Sequence, residues 1–487
     1  MTLRIVAVLM LLSQVEAASA DQFEPVREQI RRTMAEQNVV SISVAVASGG
    51  RIVWEESFGW ADKEARVSAT VHTPYSLASV SKPVTATGLM VLVERGRVDL
   101  DAPVNRYLGE AKLHAWVGEG DAATVRRVAN HTSGLAEHRQ FFFANEPYAP
   151  PSMDETIRRY ANLISAPGEQ YRYSNLGYGI LDAVIARVSG QSYQDFMQRE
   201  VFAPLGMNHS SVVVAPDAQA SQAVRYDETG ARIPFYDFDH RGASSVYACV
   251  HDLARFAMFH LKDHLQGQRA ILSDVSIDTM HRRTSTLSAA ESNKGFGVGW
   301  GVVDRPDGYH VISHTGGMPG VATAVMAVPD EDIAVAVLSN SGRERGRDPT
   351  TAIVDAAMHQ LLPRWTKTVP AVSAANNAPV ASELQGLWRG SLHTGQAVLP
   401  LQLDLRDPAA IRIRVGDQPF TLVEDAHMHD GWLHGAAVGE LGTEETRRFP
   451  DYKLDLALKL RGSALQGSIS AVGNHFSLNH WAELRKE

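Results

Sequence analysis

Two residues spaced for nucleophilic catalysis, Ser79 and Lys82, lie in the stretch Ser79-Val80-Ser81-Lys82. Pro83 follows, and proline is compatible with the first turn of a helix. Ser79 is therefore predicted at a helix N-terminus, where backbone N–H groups favour developing negative charge. Lys82, three positions later on the same face, can reach the hydroxyl as a neutral base if it is shielded from water. The alternative is a polar capping serine beside a solvated lysine.

A second candidate element is Tyr173-Ser174-Asn175, which follows the break at Pro167-Gly168 and precedes a predicted helix. A tyrosine near a lysine can exchange a proton with a nucleophile or leaving group, and an asparagine can bind a substrate amide. A similar triplet, Tyr160-Ala161-Asn162, lies in a run from Asp154 to Leu163 that predicts an uninterrupted helix. Its side chains would not converge, so we reject it.

The third element is His314-Thr315-Gly316-Gly317, at the end of a predicted strand. Glycines allow a substrate to lie against the strand backbone, and the Gly317 N–H is a candidate oxyanion donor. Two similar triplets begin at His131 and His393. The first shows no strand pattern, and the second is far along the chain from the other motifs. For any such triplet, the alternative is an ordinary strand end.

The elements around these motifs predict an α+β fold. A helix is expected over Glu24–Gln37, followed by a hairpin of Ser41–Val46 and Arg51–Trp54. Near the other end, three strands and a helix are expected. They cover His310–Thr315, Val321–Val328, Ile333–Leu338 and Thr350–Leu362. The intervening chain is mostly helical, with helices predicted over Ser79–Arg95, Leu176–Val188 and Val250–Leu265. One antiparallel sheet built from both ends, flanked by helices and with a helical insertion, satisfies this order.

The C-terminal region has a different pattern. Residues 366–382 are predicted as a linker, because they are rich in Ala, Pro, Asn and Ser and lack periodicity. Short alternating strands follow, and no helical signal is evident. They cover Leu387–His393, Val398–Leu405, Ile411–Val415, Leu454–Leu460 and Gly467–Ala471. We therefore predict a hydrolase domain over 21–365 and a small antiparallel barrel, or a sandwich, over 383–487.

Together, the three motifs resemble the serine β-lactamase and penicillin-binding-protein superfamily. The likeness is strongest to class C β-lactamases, D,D-peptidases, D-aminopeptidases and related esterases. It extends from about Glu24 to Leu362 and includes further matching stretches. These are Asn130-His131-Thr132-Ser133-Gly134-Leu135, Asn175-Leu176-Gly177-Tyr178 and Asp252-Leu253-Ala254-Arg255-Phe256. The C-terminal region is similar to the lipocalin-like modules attached to some of these hydrolases, on the strand opening Leu387-Trp388-Arg389-Gly390.

The resemblance implies a role for each matching residue. Ser79 would form an acyl-enzyme, and Lys82 and Tyr173 would share the general acid and base work. Substrate binding is implied for Asn175, His314, Thr315 and Gly316. The N–H groups of Ser79 and Gly317 would form the oxyanion hole, and the His131 segment would support the site.

One residue departs from the pattern of the family. Class C β-lactamases usually carry Lys-Thr-Gly at the third motif, where this chain has His314. Because a histidine is only partly charged near neutral pH, it is a weaker partner for a substrate carboxylate. The expectation therefore shifts towards peptides containing D-residues, or esters, and β-lactam hydrolysis and a non-catalytic penicillin-binding sensor stay as alternatives.

Composition limits the remaining possibilities. The net charge of −9 disfavours a nucleic-acid partner. The apolar run Ile5–Leu12 after Arg4, with Ala18-Ser19-Ala20, predicts a signal peptide over residues 1–20, cleaved after Ala20, and hence a periplasmic or secreted protein. No integral membrane segment is expected after cleavage, and the expected partner is a small-molecule or peptide substrate.

No cofactor or metal is expected from the sequence. The single cysteine, Cys249, excludes an internal disulfide and is predicted to be a buried small residue. His427, His429 and His434 are the one histidine group that suggests a metal site, but their spacing matches no known ligand pattern, so surface histidines are the preferred interpretation.

Overall fold

The computed structural model describes residues 22–212, 222–342 without 264, 266, 289 and 290, 348–366, and 377–487. They form two compact units. The first draws its described residues from Met1–Val98, Ile185–Phe235 and Arg241–Val369. The second draws them from Asp99–Val184, Tyr236–His240 and Pro370–Glu487. The predicted signal peptide and residues 367–376 of the predicted linker lie outside the described residues.

The first unit is built on an antiparallel sheet to which both ends of the predicted hydrolase domain contribute. Ile42 pairs with Ser339, which joins the predicted hairpin to the predicted three-stranded meander. In spatial order, the strands are Lys294–Phe296, Gly301–Asp304, His310–Met318, Val321–Val328, Ile333–Ser339, Ser41–Ser48, Arg51–Asp62 and Val67–Ser68. The predicted single sheet is thus confirmed.

Helices cover this sheet. Val44 and Val46 of the sheet share one buried cluster with Ile30 and Ile353, which lie on the first and last helices of the unit. The helices and helical turns of the unit are Glu24–Gln37, Ser81–Glu94, Tyr193–Met197, Gln198–Phe202, Ala203–Leu205, Arg241–Ser244, Val250–His260, Asp274–His281 and Thr351–Leu361. The helix predicted to reach Leu265 ends at His260, because Lys262 has a left-handed φ of 67°.

The second unit contains a closed antiparallel barrel. Its first and last strands pair directly, with Trp388 opposite Lys486, so the sheet closes on itself. The strands are Leu387–His393, Val398–Asp404, Arg412–Val415, Thr421–His429, Trp432–Ala437, Tyr452–Arg461, Ala464–Gly473 and Phe476–Lys486. This confirms the barrel rather than the sandwich.

Three of these strands and one helix were missed from the sequence. Phe476–Lys486 is buried almost continuously, so the alternation that marks a strand with one wet face is absent. Thr421–His429 carries acidic and histidine residues and an irregular register, and Trp432–Ala437 is short. The expectation of no helix here was wrong, since Glu444–Arg448 is helical and Thr443 caps it by accepting from the Thr446 N–H.

The other part of the second unit surrounds the Tyr173 motif. Its elements are the helices Val125–Ala129, Met153–Tyr160 and Asn175–Ser189 and the strands His114–Ala115, Arg139–Phe143, Asn162–Leu163 and Tyr236–Phe238. The predicted uninterrupted helix to Leu163 was wrong. It ends at Tyr160, and Asn162–Leu163 pairs with His114–Ala115. Within the described ranges, no helix is long and apolar enough to cross a membrane.

Candidate active site

The nucleophile candidate Ser79 lies in a tight turn at the start of a buried helix. Ala78–Val80 forms a 3₁₀ turn, and the α-helix Ser81–Glu94 continues from it. Ala78 has a φ of 47°, a left-handed conformation that costs energy for a residue with a Cβ. Ser79 is partly exposed, whereas Ala78 and Val80 are buried. The turn therefore leaves the serine accessible from an otherwise buried segment.

Lys82 lies directly beneath this serine. Its side chain is fully buried, and its Nζ lies 3.0 Å from Ser79 Oγ and 3.2 Å from the carbonyl oxygen of Ala243. Three-residue spacing on the helix gives the first contact, and the helix Arg241–Ser244 supplies the second. The amine is thus oriented towards the serine hydroxyl and is shielded from water, as the predicted base requires.

Neighbouring elements fix the orientation of this segment. The Thr85 hydroxyl donates to the Gly242 carbonyl at 2.6 Å, and the Val246 N–H donates to Ser81 Oγ at 3.0 Å. The Leu77 N–H in turn donates to the Val246 carbonyl at 2.8 Å. Because these bonds are buried, breaking any of them would leave an unsatisfied polar group. The Ser79–Lys82 pair is therefore held rigidly by sequence-distant chain.

Gly316 brings the third motif against the Ser79 turn. A Cβ at this position would lie 2.4 Å from the Leu77 carbonyl oxygen and 2.3 Å from Thr323 Oγ1. The Thr323 hydroxyl itself donates to that carbonyl at 2.7 Å. Only glycine allows this close approach, so the strand His310–Met318 lies directly beside the nucleophile segment.

His314 is buried on this strand, whereas Thr315 and Gly317 are exposed. The His314 Nδ1 lies 2.8 Å from the Thr315 carbonyl oxygen. Because a carbonyl only accepts, Nδ1 carries the proton, and in the neutral ring Nε2 is an acceptor. A lysine at this position could only donate, whereas a neutral histidine can also accept.

Tyr173 and Asn175 lie in the second unit, at the start of the helix Asn175–Ser189. The Ser174 N–H donates to His131 Nδ1 at 3.2 Å, and the Arg172 N–H donates to the His131 carbonyl at 2.7 Å. The His131 and Tyr173 rings lie 4.4 Å apart. His131 is therefore a supporting residue for the Tyr173 segment, in agreement with the role that the resemblance implied.

The barrel also contacts the chain immediately before Tyr173. The Glu169 carboxylate lies 2.7 Å from both Lys459 and Arg461, and Trp432 Nε1 donates to Gln170 Oε1 at 3.1 Å. The Arg172 guanidinium lies 4.8 Å from the centre of the Trp432 ring. No local sequence pattern indicates these contacts, because the partners are more than 250 positions apart.

Burial and charge set the ionisation of Glu169. Partial burial alone would raise its pKa, but hydrogen bonds from Arg461 and Lys459 outweigh this and lower the pKa to about 2. The carboxylate is therefore charged at neutral pH and pairs with two cations.

The structure thus places the predicted residues in two groups. Ser79 and Lys82 lie against the strand that carries His314, Thr315, Gly316 and Gly317, all within the first unit. Tyr173 and Asn175 belong to the second unit, and their catalytic roles stay predictions.

In the barrel, His427 and His434 lie opposite each other on adjacent strands, with their ring centres 5.6 Å apart. Cys249 is buried, as expected.

Comparison with known sequences connects the chain to one family. A sequence model of the beta-lactamase family matches residues 26–358. Penicillin-binding protein 4* of Bacillus subtilis (strain 168) is 29% identical over 360 residues, which cover 68% of this chain and 74% of the relative. The mitochondrial serine beta-lactamase-like protein LACTB of Homo sapiens is 24% identical over 399 residues, which cover 64% and 73%.

Solved structures share the fold across most of the chain. The octameric penicillin-binding protein homologue from Pyrococcus abyssi aligns with a TM-score of 0.61 and 22% identity, covering 94% of this chain and 99% of its own. SurE with D-Leu aligns with a TM-score of 0.63 and 20% identity, covering 94% and 100%. A class C beta-lactamase aligns with a TM-score of 0.60 and 19% identity, covering 71% and 97%. These matches confirm the predicted fold class.

Proposed function

Since the chain belongs to the β-lactamase family and is a serine hydrolase, we propose that Ser79 forms an acyl-enzyme with a peptide or amide containing a D-amino acid, or with an ester. The observation that carries this proposal is the buried Lys82 amine, 3.0 Å from Ser79 Oγ. A base at hydrogen-bond distance from a partly exposed serine is the arrangement that acyl transfer requires.

In this mechanism, neutral Lys82 accepts the Ser79 proton while Oγ attacks the substrate carbonyl carbon. The carbonyl oxygen becomes an oxyanion, which the N–H groups of Ser79 and Gly317 stabilise. Collapse of this intermediate breaks the bond to the leaving group, which takes up the proton that Lys82 accepted. Water then gives a proton to Lys82 as it attacks the acyl carbon, and Ser79 Oγ takes up that proton as the ester bond breaks. We propose that Tyr173 shares these proton transfers and that Asn175 binds the substrate amide.

The chemistry of His314 supports the choice of substrate. In its neutral form, with Nδ1 donating to the Thr315 carbonyl, the His314 ring carries an acceptor nitrogen in place of a fixed positive charge. An acceptor suits a substrate amide or hydroxyl group, whereas the carboxylate of a β-lactam is better matched by a lysine ammonium. The structural neighbour described with D-Leu is consistent with a D-amino-acid substrate.

The test is labelling and turnover with the full chain. A fluorophosphonate should label the wild type, and Ser79→Ala should abolish labelling, whereas Ser68→Ala at an exposed strand position should label normally. Turnover should be measured with p-nitrophenyl esters, D-aminoacyl anilides, D-Ala-D-Ala peptides and nitrocefin. Labelling that survives in Ser79→Ala would refute the nucleophile. The absence of turnover with every substrate would favour the sensor.

His314→Lys tests the substrate preference separately. If His314 disfavours carboxylate-bearing lactams, this variant should raise the ratio of nitrocefin to ester turnover by about 10-fold, the effect of one charge-assisted hydrogen bond. An unchanged ratio would show that the histidine does not set this preference. If the wild type hydrolyses nitrocefin faster than the p-nitrophenyl esters and the D-peptides, that result would favour a β-lactamase.

We also propose that the protein acts in the periplasm or after secretion. The support is the N-terminal pattern of Arg4, the apolar run and Ala18-Ser19-Ala20. N-terminal sequencing of the protein recovered from the native cell envelope should begin at Asp21. Recovery of the uncleaved chain from the cytoplasm would contradict this proposal.

A further inference from the structure

We propose that His72, His209, Cys249 and Asp252 form a binding site for a thiophilic divalent metal ion of the zinc class, apart from the residues assigned to catalysis. The four residues come from three segments of the first unit that are distant in sequence. His72 precedes the strand Tyr75–Ser76, His209 follows the helical turn Ala203–Leu205, and Cys249 and Asp252 begin the helix Val250–His260.

The ligand atoms of His72, His209 and Cys249 lie close enough to share one ion. All three lie within 4.8 Å of one another. In a tetrahedral zinc site with bonds of about 2.0–2.3 Å, neighbouring ligand atoms are about 3.5 Å apart. The imidazoles of His72 and His209 are exposed and stacked, with ring centres 4.9 Å apart, so a small rotation of each would close the distance.

Asp252 supplies an independent observation. Its side chain is 1% exposed, and Oδ2 accepts from the His209 N–H at 2.7 Å and from the Ser210 hydroxyl at 2.8 Å. The other oxygen, Oδ1, is buried without a hydrogen-bond partner among the described residues and lies 3.8 Å from His209 Nδ1. A buried carboxylate oxygen without a partner is costly, and a bound cation would remove that cost.

The donor set indicates the class of metal. A thiolate with two imidazoles and a carboxylate is a soft, mixed set that favours zinc over magnesium or calcium, which prefer oxygen ligands. A zinc-class ion binds the cysteine sulfur as a thiolate. When the metal–sulfur bond forms, the thiol proton is therefore released to solvent.

A second histidine and aspartate group shows why this site is different. His138, Asp239 and His240 in the second unit are also clustered and fully buried. There, Asp239 Oδ2 lies 2.8 Å from His138 Nε2, and Oδ1 lies 2.6 Å from His240 Nδ1. Both oxygens of the Asp239 carboxylate therefore have histidine partners, and this carboxylate needs no cation. At Asp252, by contrast, one carboxylate oxygen has no hydrogen-bond partner among the described residues.

The proposed ion would stabilise the chain that leads to the nucleophile. Tyr75 and Ser76 pair with Ala248 and Tyr247, and they lie between His72 and Ser79. An ion bound by His72 and Cys249 would join the outer ends of these two paired strands. The expected role is structural, because the ion would link two paired segments of the chain near Ser79.

The experiment uses the full chain, purified and treated with chelator, then titrated with cobalt(II) and with zinc(II). Cobalt should bind at one equivalent and give tetrahedral visible bands with a thiolate-to-cobalt charge-transfer band in the near ultraviolet. Zinc at 100 times its Kd should raise Tm by about 5 °C. Cys249→Ser should lose the charge-transfer band, and His72→Ala should weaken zinc binding at least 10-fold.

The matched control is His427→Gln, which removes one partly exposed histidine of the barrel and should leave binding unchanged. His72→Ala changes only an exposed side chain, so a folding defect in Cys249→Ser would not prevent the test. Cobalt binding without a charge-transfer band, or zinc affinity unaffected by His72→Ala, would overturn the proposal. Failure of Ser79 labelling would not affect it, because the two outcomes are measured independently.

Discussion

The Ser79 segment and the Tyr173 segment are positioned in different ways. Ser79 and Lys82 are three residues apart in one helical segment, which is fixed by buried hydrogen bonds to the Gly242 carbonyl and from the Val246 N–H. The chain before Tyr173 is partly exposed and depends on Trp432, Lys459 and Arg461 of the barrel. The first arrangement is set by close packing, and the second by polar contacts that solvent can reach.

This difference predicts two kinds of sensitivity. Changes in the Ser79 segment should abolish chemistry with little dependence on pH or salt, because its contacts are buried. Changes in the barrel contacts should have graded effects that depend on pH and ionic strength, since exposed ion pairs are screened.

The largest effect is expected from Lys82→Met. This change removes the base while keeping a long buried side chain, so kcat should fall by about 10³-fold without loss of folding. Steady-state turnover of a p-nitrophenyl ester and thermal unfolding measure the two properties. Lys112→Met, at an exposed position, is the control and should retain full activity. A fall of less than 10-fold would assign the base to another residue.

The second largest effect is expected from Gly316→Ala. Its Cβ would meet the Leu77 carbonyl and Thr323 Oγ1, so the strand or the Ser79 turn must move. A displacement of this size should lower kcat/KM by about 10²-fold. Gly120→Ala is the matched control, because its Cβ would have only an ordinary contact at 3.5 Å with Ala115. Equal activity of the two variants would show that the close approach is not needed for catalysis.

A moderate effect is expected from Glu169→Gln. Loss of the charge partner of Lys459 and Arg461 should loosen the chain before Tyr173 and lower kcat by about 3- to 10-fold, with a smaller change in KM. Glu424→Gln removes an exposed pair with Lys453, in which both side chains are more than half exposed, and should change neither constant. An unchanged kcat in Glu169→Gln would show that the Tyr173 segment does not require this contact.

The smallest expected effect is a pH dependence of the stability that Glu169 provides by pairing with Lys459 and Arg461. The folded-state pKa of Glu169, about 2, lies below its ordinary value of 4.5. Its contribution to stability is therefore present above about pH 4.5 and is lost as the pH falls towards 2. The difference in Tm between wild type and Glu169→Gln should narrow over this range. A difference that stays constant from pH 6 to about pH 2 would contradict the ion pair.

Local patterns in the sequence predicted the first segment but not the second. Ser79, Lys82 and Pro83 form a short motif, and the strand predicted over His310–Thr315 has a clear period, so both could be placed from neighbouring residues alone. The contact of Glu169 with Arg461 joins residues 292 positions apart, and nothing near either residue signals it. His72, His209 and Cys249 are also far from one another in the sequence. Their spacing therefore did not indicate that they could bind one metal ion.

The barrel strands also show which elements can be predicted from the local sequence and which cannot. Leu387–His393 and Val398–Asp404 alternate because one face is exposed, and their predicted ends agree with the structure to within one residue. Phe476–Lys486 carries no such alternation, because Trp481 packs against Ala136 and Ile164 outside the barrel. A strand covered on both faces can be identified only when its tertiary neighbours are known.

The last barrel strand continues its hydrogen bonding beyond the barrel, since Phe476 and Ser477 pair with Gln140 and Arg139. Expression of residues 21–365 alone would therefore expose the backbone edge of the strand Arg139–Phe143, which carries three consecutive phenylalanines. An uncovered apolar edge of this kind recruits strands from other molecules. Residues 21–365 produced without the barrel are therefore expected to aggregate through this edge.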